Sequence, residues 1–151
     1  MEPIIQLNSE AKLSDHFTLG EMTKSCSHPE VYNIPSHEAI ANLKRLCEWL
    51  EVLRNKIGHP IVINSGYRSP QLNRKVGGAS ASNHLTGCAV DIRTNGMEQA
   101  ICYAAILINY AKESQQDYDE LLIEKNRYGA VWLHFAVRPK ENRRKVAFIR
   151  A

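Results

Sequence analysis

Ile40, Leu43, Leu46, Leu50, Leu53 and Ile57 recur at steps of three and four, the period that lines one side of an α-helix with apolar side chains. Lys44, Arg45, Glu48 and Glu51 fall between them and are expected to face water. Ser36 is placed to cap this helix, with Glu38 in its first turn, and Gly58 followed by Pro60 ends it. A second helix is predicted over 97–112, with Ile101, Ala104, Ala105 and Ile108 on its buried side and a polar linker, Ser114 to Asp117, after it. Earlier in the chain, Thr18 and Glu21 have the spacing of a capping box, which predicts a short amphipathic turn after Phe17.

Elsewhere the pattern shortens to strands. Ile61-Val62-Ile63 and Cys88 to Ile92 read as buried strands, and Tyr118 to Glu124 with Tyr128 to Val137 read as a hairpin turning through Asn126 and Gly129. Alternation then puts Trp132, His134 and Ala136 on one face, and Leu133, Phe135 and Val137 on the other. These elements predict an α+β fold: a small antiparallel sheet packed against two main helices, with residues 1–151 forming a single domain.

Composition changes this picture little. With 44% hydrophobic and 23% charged residues, the chain has the make-up of an ordinary globular protein, and a formal net charge of +3 points to no particular partner. No apolar run reaches the roughly eighteen residues a membrane span needs, and residues 1–13 show no apolar stretch behind a basic start, so no export signal is expected. Cys26, Cys47, Cys88 and Cys102 lack C-x-x-C spacing and are expected to be buried free thiols. His16, His28 and His37 lie in polar surroundings and are expected at the surface. The tail, Arg138 to Ala151, holds six basic residues against one Glu and reads as a solvated face; no aromatic platform interleaves with the charges to suggest nucleic acid.

The chemistry concentrates between the first two strands. Ser65 to Ile92 is poor in core-forming residues and crowded with Gly, Ser and Asn, so an irregular loop is expected there. It carries Arg68, His84 and Asp91, with Gly87 to let the chain turn. Asp91 sits in the apolar run Ala89-Val90-Asp91-Ile92, and a buried carboxylate needs a partner. A metal ion would serve, with His134 as the third ligand; a lone strand histidine is otherwise a satisfied core residue. Two imidazoles and one carboxylate with an open fourth position match a catalytic zinc rather than a structural one. Arg68 precedes Pro70, which is expected to direct the guanidinium out of the loop, where its planar fork suits a carboxylate.

The stretches Ser65-Gly66-Tyr67-Arg68-Ser69-Pro70, Leu72-Asn73, Val76-Gly77-Gly78, Ser82-x-His84-x-x-Gly87-x-Ala89-x-Asp91-Ile92 and Trp132-x-His134 together resemble the signature of the zinc D-Ala-D-Ala carboxypeptidase family. That group includes phage endolysin peptidases and shares the hedgehog-type zinc peptidase fold. The resemblance implies one zinc ion held by His84, Asp91 and His134. It also implies that Arg68 takes the substrate carboxylate, as a catalytic and substrate-binding residue, and that Ser82 and Tyr67 contact substrate. In the better-known branches the general base stands three places before the last histidine, where this chain has Val131. The chain resembles more closely a branch in which an acidic residue ends the preceding strand, and Glu124 is the matching carboxylate.

By the same resemblance the expected activity is hydrolysis of peptidoglycan stem peptides by metal-activated water, either at a terminal D-Ala or at an internal bond. The expected partner is the stem peptide, without nucleic acid or membrane, and the expected state is a monomer. Such a chain would stay cytoplasmic until released, as phage lysins are, or would act at the cell wall. The alternative is a wall-binding or sensing module that keeps the zinc and lacks catalysis.

Overall fold

The computed structural model describes residues 8–25 and 27–151. Residues 1–7 and Cys26 lie outside the described part, so the expectations for the start of the chain and for Cys26 are not addressed by it. The elements in order are α1 (Leu19–Thr23), α2 (His37–Ile57), β1 (Ile63–Ser65), α3 (Pro70–Lys75), a 3-10 turn (Asn83–Thr86), β2 (Ala89–Arg93), α4 (Met97–Ser114), β3 (Glu120–Lys125), β4 (Val131–Ala136) and β5 (Lys145–Arg150). The five strands form one sheet in the order β1-β2-β4-β3-β5. The α+β expectation holds, with two main helices against the sheet.

Local chemistry explains the helices. Thr18 caps α1 in a complete capping box with Glu21, and Ser36 Oγ accepts from the Ala39 N–H at the start of α2. Gly58 closes α2 in the left-handed conformation, its N–H donating to the Arg54 carbonyl. Leu43, Leu46, Leu50 and Leu53 are fully buried, each contributing about 1.5–3 kcal/mol of apolar burial. Trp49 packs edge-on to Tyr110 at 4.9 Å and tilted against Phe135 of β4 at 5.3 Å, which ties α2 to α4 and to the sheet.

Several local expectations are corrected. The stretch from Ser65 to Ile92 is not wholly irregular: Ser69 caps α3 and Pro70 opens it, the proline acting as a first-turn residue rather than as a loop constraint. The buried face of α4 is Ala100, Tyr103, Ala104, Leu107 and Ala111, while Ile101 is 46% exposed. Apolar residues lie on several sides of that helix, so periodicity alone does not select the stripe. The basic tail contains β5, paired parallel to β3 with Leu122 opposite Ala147. Its charges dominate the composition and hide the short apolar run Val146-Ala147-Phe148-Ile149. Cys47 and Cys88 are free and buried as expected, whereas Cys102 is free but exposed, on the outer side of α4. His16 is exposed as expected, and its Nδ1 pairs with Glu51 Oε1 at 2.6 Å.

Candidate metal centre

Strand register brings the chemistry together. β2 and β4 run antiparallel with Asp91 directly opposite His134, and β3 and β4 pair with Leu122 opposite the same histidine. Asp91 Oδ1 therefore reaches His134 Nδ1 at 3.0 Å. His84 arrives from the 3-10 turn, where Ser82 Oγ accepts from the His84 N–H at 3.1 Å. Gly87 ends that turn at φ 76°, and a Cβ there would lie 2.5 Å from the Ala39 carbonyl oxygen of α2. Only glycine satisfies both the left-handed backbone and the close approach.

His84 Nδ1 lies 2.6 Å from the Gly66 carbonyl oxygen. A carbonyl only accepts, so Nδ1 carries the proton and Nε2 keeps its lone pair, 3.4 Å from Asp91 Oδ2. Each of His84, Asp91 and His134 offers a ligand atom, and the three atoms lie within 4.8 Å of one another. All three residues are at most 9% exposed. Two buried imidazoles converging on a buried carboxylate, one of them oriented by a backbone carbonyl, form a donor set that suits a single divalent ion of zinc type.

Burial by itself would raise the Asp91 pKa, but the imidazoles of His84 and His134 beside it reverse this and hold the carboxyl well below its usual range. Burial would lower the pKa of His134, yet its hydrogen bonds to Asp91 and Glu120 raise it to about 9. Both shifts mark a site whose charges are matched inside the fold.

Arg68 is positioned by a backbone bond from its N–H to the His84 carbonyl at 2.9 Å. Its guanidinium turns inward rather than out of the loop: Nε donates to Ser65 Oγ at 3.1 Å, and Nη2 lies 3.4 Å from Asp91 Oδ2, leaving the side chain 15% exposed. It stands beside the metal donors, where it can meet an anionic group bound there. Ser82 uses its hydroxyl oxygen on the His84 N–H. Tyr67 is 8% exposed and belongs to the core cluster.

The face of β3 next to His134 carries two carboxylates four residues apart, Glu120 and Glu124. Glu124 Oε2 accepts from Trp132 Nε1 at 2.8 Å. Burial raises its pKa, the charge of Asp91 adds to this, and His134 and Trp132 partly offset it, a shift in the direction that makes a carboxyl a better proton acceptor. Glu120 Oε1 lies 3.0 Å from His134 Nε2, and this hydrogen bond is the main cause holding the Glu120 pKa down. Sequence reasoning passed over Glu120. The available signal was period two on β3, which puts Glu120 on the same face as Glu124.

A buried metal-donor set on the sheet of an α+β fold defines a candidate mononuclear metalloprotein. The sequence profile of the Peptidase M15 family matches residues 15–120, most of the chain, and the protein belongs to that family. It is also 33% identical over 90 residues to the zinc D-Ala-D-Ala carboxypeptidase of Streptomyces albus G, a match covering 59% of this chain and 35% of that relative. The chain thus corresponds to about a third of that relative's length. Arg68, His84 and Asp91 lie inside the family match, whereas Glu124 and His134 lie beyond its end at residue 120. Their membership of the site rests on the β3-β4 and β2-β4 registers.

Proposed function

We propose that this protein is a zinc-dependent peptidase acting on peptidoglycan stem peptides, with His84, Asp91 and His134 as the ligands of one zinc ion. The observation that carries the reading is the convergence of those three donors within 4.8 Å beside a largely buried guanidinium and a carboxyl of raised pKa. Family membership and the name of the Streptomyces relative support it. Bound there, zinc would polarise the scissile carbonyl and bring a water's pKa from about 16 to about 7.

The chain's own residues supply the rest. Arg68 binds the carboxylate of the substrate through its planar fork, and Ser82 contacts the peptide beside it. Glu124, with its pKa raised by burial and by Asp91, accepts the proton of the attacking water and returns it to the leaving amine. The Trp132 N–H holds one Glu124 oxygen, leaving the other for that transfer. A free terminal carboxylate on the substrate uses Arg68 fully, so removal of a terminal D-Ala is the form of the activity that this site suits best. An internal cut of endolysin type would depend on Arg68 less.

The test is zinc content and turnover measured together. The parent, His84→Ala and Glu124→Gln are incubated with purified peptidoglycan and with a pentapeptide ending in D-Ala-D-Ala. The expected result is one zinc per parent chain, none on His84→Ala, and cleavage by the parent alone, with Glu124→Gln keeping its zinc and losing about 10²–10⁴-fold in rate. Zinc without cleavage of either substrate would turn the reading to a wall-binding or sensing module. No zinc on the parent would sink it.

A further inference from the structure

The metal-binding residues do not stand alone. Asp119, the residue before β3, has a side chain with no exposed surface, although it is charged and carries no chemistry in the reading above. Its carboxylate is surrounded by donors from two distant segments. From the tail, the Arg143 backbone N–H donates to Oδ1 at 2.9 Å, Arg143 Nη2 to Oδ2 at 2.9 Å, and Arg138 Nε lies 3.3 Å from Oδ2. From the 3-10 turn, Asn83 Nδ2 donates to Oδ2 at 2.8 Å.

The same groups extend to the site. Asn83 Nδ2 also donates to Glu120 Oε1 at 2.7 Å, and Asn83 Oδ1 accepts from Arg138 Nε at 2.9 Å. Arg143 Nη2 lies 3.3 Å from Glu120 Oε2. Glu120 Oε1 in turn meets His134 Nε2 at 3.0 Å. One end of this network is therefore the residue next to His84 in the chain, and the other is the ring of His134.

We propose that Asp119, Asn83, Arg138 and Arg143 hold Glu120 as a positioning residue that takes the His134 Nε2–H and so presents Nδ1 to the metal. The inference rests on the zinc reading above and assigns the basic tail a task beyond solvation. Glu120 has two oxygens: Arg143 anchors Oε2, and Oε1 is left for Asn83 and the imidazole. Ring orientation follows, because a histidine whose Nε2–H is held by a carboxylate keeps Nδ1 free and makes it a stronger donor. A carboxylate without these anchors would have rotamer freedom on a half-buried strand face. Arg143, half exposed, would by itself be a weak surface partner. Over a fully covered Asp119 its bidentate contact closes the network.

The test is zinc affinity, by competition with a chromophoric chelator, for the parent, Glu120→Ala, Glu120→Gln and Arg143→Ala, with thermal unfolding of each metal-free protein alongside. Glu120→Ala is expected to weaken zinc about 10–100-fold. Glu120→Gln, which retains an acceptor oxygen, recovers part of that loss, and Arg143→Ala weakens zinc in the same direction by a smaller factor. In the zinc-loaded parent, nitrogen-edited NMR should show a slowly exchanging proton on His134 Nε2. Parent affinity in folded Glu120→Ala, or that proton absent from Nε2 in the parent, would overturn the proposal while leaving the zinc site standing. Unchanged affinity in Arg143→Ala would overturn the part given to the tail. A parent that binds no zinc would overturn this inference together with the reading beneath it, and that result is visible before any Glu120 variant is compared.

Discussion

Acid weakens the fold through the Asp119 network. Burial would raise the Asp119 pKa, but hydrogen bonds from Arg143 and Asn83 and the charge of Arg138 lower it from 3.8 to about 2. A carboxyl with a depressed pKa in the folded state stabilises the fold above its unfolded value. That stabilisation is lost as pH falls from about 3.8 through about 2. At 1.36 kcal/mol per unit the difference amounts to about 2 kcal/mol at neutral pH. The Arg143 side chain over it is half exposed, so solvent screening makes that figure an upper value.

Asp119→Asn keeps the shape and removes the titration. Urea unfolding of parent and variant at pH 7, 5, 4 and 3, followed by circular dichroism, isolates the effect, because every other carboxyl titrates in both proteins. The stability difference should be constant from pH 7 to 5 and then shrink, with about half remaining at pH 3. Parallel loss of stability in the two proteins down to pH 3 would refute the reasoning. It would mean that Asp119 has the same pKa folded and unfolded despite its covered position.

Two further outcomes follow from close contacts. Gly66→Ala would put a Cβ 2.3 Å from the Met22 carbonyl oxygen, and relief by a backbone shift costs about 1–3 kcal/mol. Because the Gly66 carbonyl orients His84, this variant should show both a lower melting temperature and weaker zinc binding; an unchanged melting temperature would contradict the contact. Cys47 is buried and its thiol is pushed up to about 12, and Cys88 is buried as well. A maleimide applied to the native protein should therefore label Cys102 and spare Cys47 and Cys88 until urea is added, as read by peptide mass mapping; labelling of Cys47 in the native state would show that α2 opens.

Much of the scaffold is written in short-range pattern. α2 was legible from its period and caps because each signal lies within a turn or two of the residue it governs: Ser36 at one end, Gly58 at the other, and a stripe of leucines between. The hairpin was legible because Asn126 and Gly129 lie between two runs of alternating side chains. The donor set was legible chiefly through the resemblance carried by Ser82-x-His84-x-x-Gly87-x-Ala89-x-Asp91 and Trp132-x-His134; a carboxylate in an apolar strand by itself says only that a partner is needed. The β5 strand and the buried face of α4 were not legible: β5 exists only because β3 offers it a free edge, and α4 turns the face that fits Trp49 and the sheet.

The sequence by itself determined the residue types of the site and the elements that carry them. Tertiary structure alone decided which carboxylate meets which ring nitrogen. The pairing of β3 with β4 puts Leu122 opposite His134 and leaves Glu120 and Glu124 on either side of it, so one carboxylate reaches Nε2 and the other bonds Trp132. The tail closes on Asp119 across 24 residues of chain. Such contacts depend on cross-strand register and on the path of a returning segment, and a one-residue slip would send every side chain of a strand to the opposite face. Local periodicity carries no record of that choice.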